Sequence, residues 1–206
     1  MSERIVNVHE QDYAGKHFRS TLEAQTAKTL DALGIPYSYE ERKIELLEGF
    51  RSPFQKDKVR SITYTPDFII GPIMLECKGF ETPEWKLKKK LLFKWLKEND
   101  PDTIFYQIHD AGRSLLEALD KHWAYLGMAV KVTPKPVKEK QRKKQKTQST
   151  KEDASKSDSS VLYDSVEQAM NELNLIGKPK GTILSSLVGK RDFVYNYNWD
   201  LVKITL

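Results

Sequence analysis

Apolar residues recur at helical spacing from Ser20 to Leu33, with Leu22, Ala27, Leu30 and Leu33 along one side and Gly34 as the stop. Pro36 to Glu41 and Lys43 to Leu47 then read as extended. After a polar loop, Ser61 to Thr65 and Asp67 to Ile70 are β-prone, Gly71-Pro72 turns the chain, and Ile73 to Lys78 supplies the returning strand of a hairpin. Helical periodicity resumes from Trp85 to Lys97: Leu87, Leu91, Leu92 and Trp95 share one side, and Lys86, Lys89, Lys90, Lys94 and Lys97 lie largely elsewhere. Thr103 to Ile108 predicts a strand and Ser114 to Leu126 a helix. Helix, strands, helix, strand, helix is the order of an α/β core, a mixed central sheet flanked by helices.

Folding character returns near the carboxyl end, from Val161 to Leu206. Asp164 and Glu167 have capping-box-like spacing, and Val166, Ala169, Met170 and Leu173 recur at helical intervals. Leu175-Ile176-Gly177 turns the chain into a second short helix, Thr182 to Val188, with Ile183, Leu184 and Leu187 available for burial. With the strand-like run FVYNYNW behind them, these elements outline a small helix-turn-helix module of about 45 residues, marginal by itself.

Charge changes this picture by locating what joins the two parts. The 206 residues carry a net charge of +5, with 39% apolar and 31% charged types, which suits one full-sized domain, a small one and some unfolded chain. Lys131 to Lys146 holds eight basic residues and one acid, so the other 190 residues are slightly acidic. TQSTKEDASKSDSS follows, with almost nothing to bury. The expected organisation is therefore a domain over 1–130, a disordered tether over 131–160, and a module over 161–206. The basic half of the tether is either a solvated spacer or a nonspecific attractor of phosphates.

One cysteine excludes an intramolecular disulfide framework and a cysteine-based zinc cluster, and His9, His17, His109 and His122 lack paired ligand spacing. No apolar run approaches the ~20 residues of a membrane span, and the amino terminus has no hydrophobic signal core. A reducing cytoplasm, with no membrane partner, is the expected setting.

The chemistry concentrates in Tyr64-Thr65-Pro66-Asp67 and the strand Ile73 to Gly79. Side chains alternate along a strand, so Glu76 and Lys78 share a face while Cys77 points into the core. The two-residue turn brings Asp67 alongside. Two carboxylates brought together repel, and a proton or a cation must relieve them. Oxygen-only donors favour Mg²⁺ or Mn²⁺ over zinc, and Lys78 is suited to orienting a water or neutralising charge on a phosphorane. Glu-x-Lys occurs three times, but only Glu76 to Lys78 follows an apolar strand a hairpin's length after a Pro-Asp. Glu23 is a further candidate, a catalytic carboxylate that would complete the metal's ligands or support them, although Ser20-x-x-Glu23 is also the spacing of a capping box.

The run FRSTLEAQTAKTLDALGIPYSYEE, then YTPDFII, then LECKG, resembles the phage endonuclease I family of Holliday-junction-resolving enzymes in the PD-(D/E)xK nuclease superfamily. The resemblance spans roughly Phe18 to Ile108. It implies a restriction-endonuclease-like core, Mg²⁺ dependence, a DNA substrate and often a homodimer. By matching positions, Asp67 and Glu76 would be the metal-binding acids, Lys78 the catalytic lysine and Glu23 the carboxylate on the first helix. The family's second acid after the first helix corresponds here to Ser38, with Glu40 and Glu41 nearby. The tail resembles, more weakly, the small DNA-binding modules of phage homing endonucleases.

The sequence thus points to a metal-dependent DNA endonuclease, with a location in the host cytoplasm if phage-encoded. Its substrate would be branched DNA or, for a freestanding homing endonuclease, a specific duplex site. The alternative from another class is a nonenzymatic DNA-binding protein with a degenerate core. Lys86, Lys89 and Lys90 on the basic helix, and Lys178, Lys180, Lys190 and Arg191 in the tail, are candidate DNA contacts. A solvated helix face and aromatic packing around Tyr195, Tyr197 and Trp199 are the competing explanations.

Overall fold

The computed structural model describes residues 9–135, 159–188 and 193–204, and the chain divides into two compact units, Met1–Ala118 and Leu119–Leu206. The first unit opens on a hairpin of β1 (Gln11–Tyr13) and β2 (Lys16–Phe18), followed by helix α1 (Thr21–Leu33). The Glu23 N–H donates to Ser20 Oγ at 3.2 Å, which caps the helix start. Gly34 ends α1 at φ 64°, a left-handed conformation that favours glycine.

Strand β3 (Ser38–Tyr39) comes next, then β4 (Ile44–Leu47) and β5 (Ile62–Tyr64), which pair antiparallel as a separate hairpin. β6 (Phe68–Ile70) and β7 (Ile73–Cys77) form the expected hairpin around Gly71-Pro72. Helix α2 (Pro83–Asn99) then leads to β8 (Ile104–Ile108) and α3 (Arg113–Leu119). The main sheet has the order β3-β6-β7-β8, antiparallel except for the parallel β7–β8 pair. This is the mixed sheet that the element order predicts.

All five residues of β7 are buried, as befits a strand covered on both faces. Met74 joins Ile44, Tyr64, Trp85, Leu92 and Leu96 in one apolar cluster. Cys77 points the other way, with its sulfur 3.6 Å from Thr26 Oγ1 on α1.

The second unit begins with a 3₁₀ turn at Asp120–His122 and contains β9 (Met128–Pro134), β10 (Val161–Tyr163), α4 (Val166–Glu172), α5 (Lys180–Leu187) and β11 (Tyr197–Lys203). β9 is the central strand, antiparallel to both β10 and β11. The two short helices occur as expected, but they accompany a three-stranded sheet.

Three local expectations change. The tether boundary at Lys131 falls inside β9, where the alternating burial of Met128, Val130 and Val132 outweighs the charge of Lys131. Residues 136–158 of the expected tether lie outside the described residues. The helix expected to run to Leu126 stops at Leu119, and in the turn that follows the Asp120 carboxylate accepts the Trp123 indole N–H at 3.0 Å. The cap of α4 is Ser165, not Asp164: the Gln168 N–H donates to Ser165 Oγ at 3.0 Å, and Gln168 Oε1 accepts the Asp164 N–H at 2.9 Å. No helix among the described residues is long and apolar enough to cross a membrane.

Candidate active site

The β6–β7 hairpin pairs Phe68 with Leu75, so one step outward Asp67 comes opposite Glu76. On the other side of β7, Glu76 pairs with Gln107 of β8. Asp67, Glu76 and Lys78 therefore meet at one edge of the sheet. They line a cleft of about 940 Å³ in the first unit, together with Glu23, Arg19 and Glu40.

Each carboxylate is held differently. Asp67 Oδ2 accepts the Cys77 N–H at 2.7 Å, and its second oxygen has no hydrogen-bond partner among the described residues. Glu76 is buried, accepts the Tyr64 hydroxyl on Oε2 at 2.8 Å, and has Lys78 Nζ 3.8 Å from Oε1. The Lys78 ammonium also lies 5.4 Å from the centre of the Trp85 ring, within cation–π range, and that ring packs 5.7 Å from Tyr64. Tyr64, Glu76, Lys78 and Trp85 thus form a closed circuit in which each side chain fixes the next.

Electrostatics mark the pair as unrelieved. Burial raises the Asp67 carboxyl, and the charge of Glu76 raises it further, to about 8; the Cys77 N–H opposes the rise, while Glu23 and Glu40 add to it. Burial also raises Glu76, against the hydrogen bond from Tyr64 and the charge of Lys78. Burial pushes up the Tyr64 hydroxyl, and Glu76 reinforces that effect, so the phenol stays a donor.

Glu23 lines the same cleft but is already engaged. Its Oε1 accepts Ser20 Oγ at 2.8 Å, and its Oε2 accepts the Tyr39 hydroxyl at 2.6 Å and the Arg19 N–H at 3.0 Å. The Ser20 half of the capping box is thus realised, while the Glu23 carboxylate accepts the Ser20 hydroxyl and the Arg19 N–H in place of the Ser20 N–H. Among the described residues, no group of three or more histidine, cysteine or carboxylate side chains is gathered tightly enough to hold a metal ion by itself. Asp67 and Glu76 nevertheless suit a hard divalent cation. One is buried and the other partly buried, so they resist joint ionisation; they offer oxygen only, and they open on a cleft with room for the waters that such an ion would keep.

Several cleft residues were not singled out by sequence motifs. Glu40 lines the cleft at φ 51°, donates its N–H to the Asp67 carbonyl at 3.1 Å, and pairs with Arg19 Nη2 at 2.6 Å. It stands two positions after Ser38. Tyr39, Tyr64 and Trp85 act by fixing Glu23, Glu76 and Lys78. The period of the basic helix was legible, but Lys88, not Lys86, Lys89 or Lys90, is the lysine of α2 that lines the cleft.

The expected DNA-contacting lysines fare unequally. Lys86 and Lys90 are exposed on α2. Lys89 is paired with Glu81 and donates to Gln107 Oε1 at 3.2 Å, which commits it inside the unit. In the second unit Lys178 lies 5.8 Å from the Tyr195 ring centre. Lys180 is bound to Asp120 at 2.7 Å and Glu167 at 3.4 Å, so the structure uses it as an internal tie. Lys190 and Arg191 lie outside the described residues.

The sequence profile of the phage endonuclease I family matches residues 6–115, more than half of the chain. No curated protein and no solved structure matches it. The matched span contains the whole cleft, from Arg19 to Asp110, and the chain accordingly belongs to the phage endonuclease I family, as a nuclease that acts on DNA.

Proposed function

We propose that this chain is a Mg²⁺- or Mn²⁺-dependent endonuclease that hydrolyses phosphodiester bonds of branched DNA, with a PD-(D/E)xK active site. The observation that carries the reading is the pairing of buried Glu76 with partly buried Asp67 at one sheet edge, with Lys78 3.8 Å from Glu76.

In this reading Asp67 and Glu76 would hold the ion, since Asp67 Oδ1 and Glu76 Oε1 are not taken by the Cys77 N–H and the Tyr64 hydroxyl. A bound divalent ion supplies polarisation of a phosphodiester oxygen and a lower pKa for a coordinated water. Tyr64 holds Glu76 in one orientation, so that Oε1 faces Lys78 and the cleft. Lys78, kept in place by Glu76 and the Trp85 ring, donates to the attacking water or to the phosphoryl oxygens as negative charge develops. Glu23 supports the site from the first helix, through its charge and its bond to Tyr39, without being a ligand. Lys88 and Arg19 attract the flanking phosphates.

Branched DNA is preferred as substrate because the family resemblance covers the unit that holds the cleft. A specific duplex site, read by the second unit, is the competing substrate within the same chemistry. The decisive assay compares a four-way junction with plasmid DNA, in Mg²⁺ and in EDTA, for wild type and Asp67→Ala. The reading expects junction cleavage in Mg²⁺ by wild type only. Equal cleavage by Asp67→Ala would mean that the site lies elsewhere. No cleavage of either DNA in Mg²⁺ or Mn²⁺ would leave a DNA-binding protein with a degenerate core.

A further inference from the structure

In the β4–β5 hairpin and its connecting loop, residues 43–64, Tyr64 belongs to the circuit around Glu76 and Ile44 packs in the apolar cluster beside it, while the outer residues take no part. Its outer part is unusual in three respects. Lys43, Arg51, Lys56, Lys58 and Arg60 stand there against Glu45, Glu48 and Asp57, and none of these eight side chains forms an ion pair among the described residues. Lys43, Lys58 and Arg60 line a shallow groove of about 510 Å³, along with Glu45 and Glu48. Thr63 lines both this groove and the candidate active cleft, so the two adjoin at that residue.

The tip carries the third feature. Phe54 is 95% exposed, which burial would ordinarily prevent for a side chain of this size. It is presented by a shaped turn: the Phe54 N–H donates to Ser52 Oγ at 3.2 Å, and Gln55 Nε2 donates to the Asp57 carbonyl at 3.1 Å. Below the tip, Phe50 and Val59 exchange backbone hydrogen bonds at 2.8 and 3.0 Å. Gly49 lets the two sides of the hairpin close there, since a Cβ would stand 3.0 Å from Ser61 N and Val59 O.

We infer that this hairpin is an arm that grips the DNA leaving the active cleft. Lys43, Lys58 and Arg60 neutralise consecutive phosphates past Thr63, and Phe54 stacks on a base that is unpaired or unstacked beside the cleavage point. Unpaired cations release counterions when they meet phosphates, and an exposed aromatic ring recovers its solvation cost by stacking on a base. Glu45 and Glu48 limit how far the strand can spread across the groove and keep its path along the three cations. The inference rests on a DNA substrate for this unit, but not on the roles assigned to Asp67, Glu76 and Lys78.

Binding of the full chain to a labelled four-way junction, measured in EDTA across a salt series, tests the arm apart from catalysis. The triple variant Lys43→Ala/Lys58→Ala/Arg60→Ala should bind more weakly and lower the slope of log affinity against log salt by about 2 to 3. The charge-conserving variant Lys43→Arg/Lys58→Arg/Arg60→Lys should keep the slope, which rules out misfolding as the cause. An equal loss in the charge-matched variant Lys28→Ala/Lys94→Ala/Lys97→Ala would overturn the arm in favour of net charge alone. Phe54→Ala should leave the slope unchanged, weaken binding about 5- to 100-fold, and abolish the fluorescence change of 2-aminopurine placed at the branch. A triple variant with wild-type affinity and slope, or Phe54→Ala with a wild-type fluorescence change, would refute the proposal. If Asp67→Ala cuts normally while the arm variants behave as expected, the assignment of the active site fails and the arm stands.

Discussion

Each unit of this protein buries a carboxylate beside a lysine, and the two arrangements have opposite consequences. In the second unit Asp120 is fully inaccessible; its Oδ1 accepts Trp123 Nε1 at 3.0 Å and the Val166 N–H at 2.9 Å, while Oδ2 meets Lys180 at 2.7 Å as an ion pair with poor hydrogen-bond alignment. Burial would lower the Lys180 ammonium, but the bond and charge of Asp120 outweigh it and raise it. That pair ties the 3₁₀ turn to the starts of α4 and α5. In the first unit Glu76 is shared between Tyr64 and a more distant Lys78, and Asp67 beside it receives one backbone donor among the described residues. A buried carboxylate held by two donors and a close ammonium serves the fold. Buried charge left partly unmet is available for chemistry, which is the basis of the function proposed for Asp67 and Glu76.

The contrast predicts its sharpest break at Asp67. Asp67→Ala should lower the rate of cleavage in Mg²⁺ by about 10³-fold or more, with an unchanged far-ultraviolet circular dichroism spectrum. Asp120→Ala should act in the reverse sense. Removing one partner of a buried pair costs about 3–5 kcal/mol, which denaturant unfolding would read as a loss of stability in the second unit.

Smaller effects refine the comparison. Tyr64→Phe removes one hydroxyl and keeps the ring against Trp85, so the fold should persist while cleavage and Mn²⁺ affinity by calorimetry each fall about 10- to 100-fold. The raised Asp67 carboxyl gives a pH signature in EDTA. Its folded value lies above its unfolded one, so the native state holds the extra proton; the stability this provides is complete near pH 4 and is lost as pH rises through about 8. Asp67→Asn should flatten that decline and melt at a higher temperature than wild type at pH 8 to 9. A variant with the same melting profile as wild type would show that Asp67 is not strained. At the low end, Glu167→Gln removes only the exposed partner of Lys180, 3.4 Å away, and should change stability by no more than about 1 kcal/mol.

Much of the first unit was legible because its signals are local. Alternation along Ile73 to Lys78 separates Glu76 and Lys78 from Cys77, and the structure turns Cys77 toward Thr26 as the pattern requires. Ser20 and Gly34 bound α1 at the positions that capping chemistry assigns. The second unit was read less well. β9 is separated from β10 by the expected tether, and charge counting over Lys131 to Lys146 obscured the alternation of Met128, Val130 and Val132. The arm at residues 43–64 read only as strand ends around a polar loop, because the exposure of Phe54 and the pairing state of five cations are not properties of a local pattern.

By itself, then, the sequence determined the hairpin, the two-residue spacing that sets Glu76 and Lys78 on one face, and the family to which those residues lead. Which charges are spent was settled by contacts between distant parts of the chain. Tyr39 reaches across to occupy Glu23, Asp120 captures Lys180, and Glu81 captures Lys89, whereas Asp67 keeps an oxygen open to the cleft. The physical reason is one of range. Side-chain alternation and capping act within a few residues of the backbone, but whether a buried charge is met depends on partners that folding alone brings within hydrogen-bonding distance.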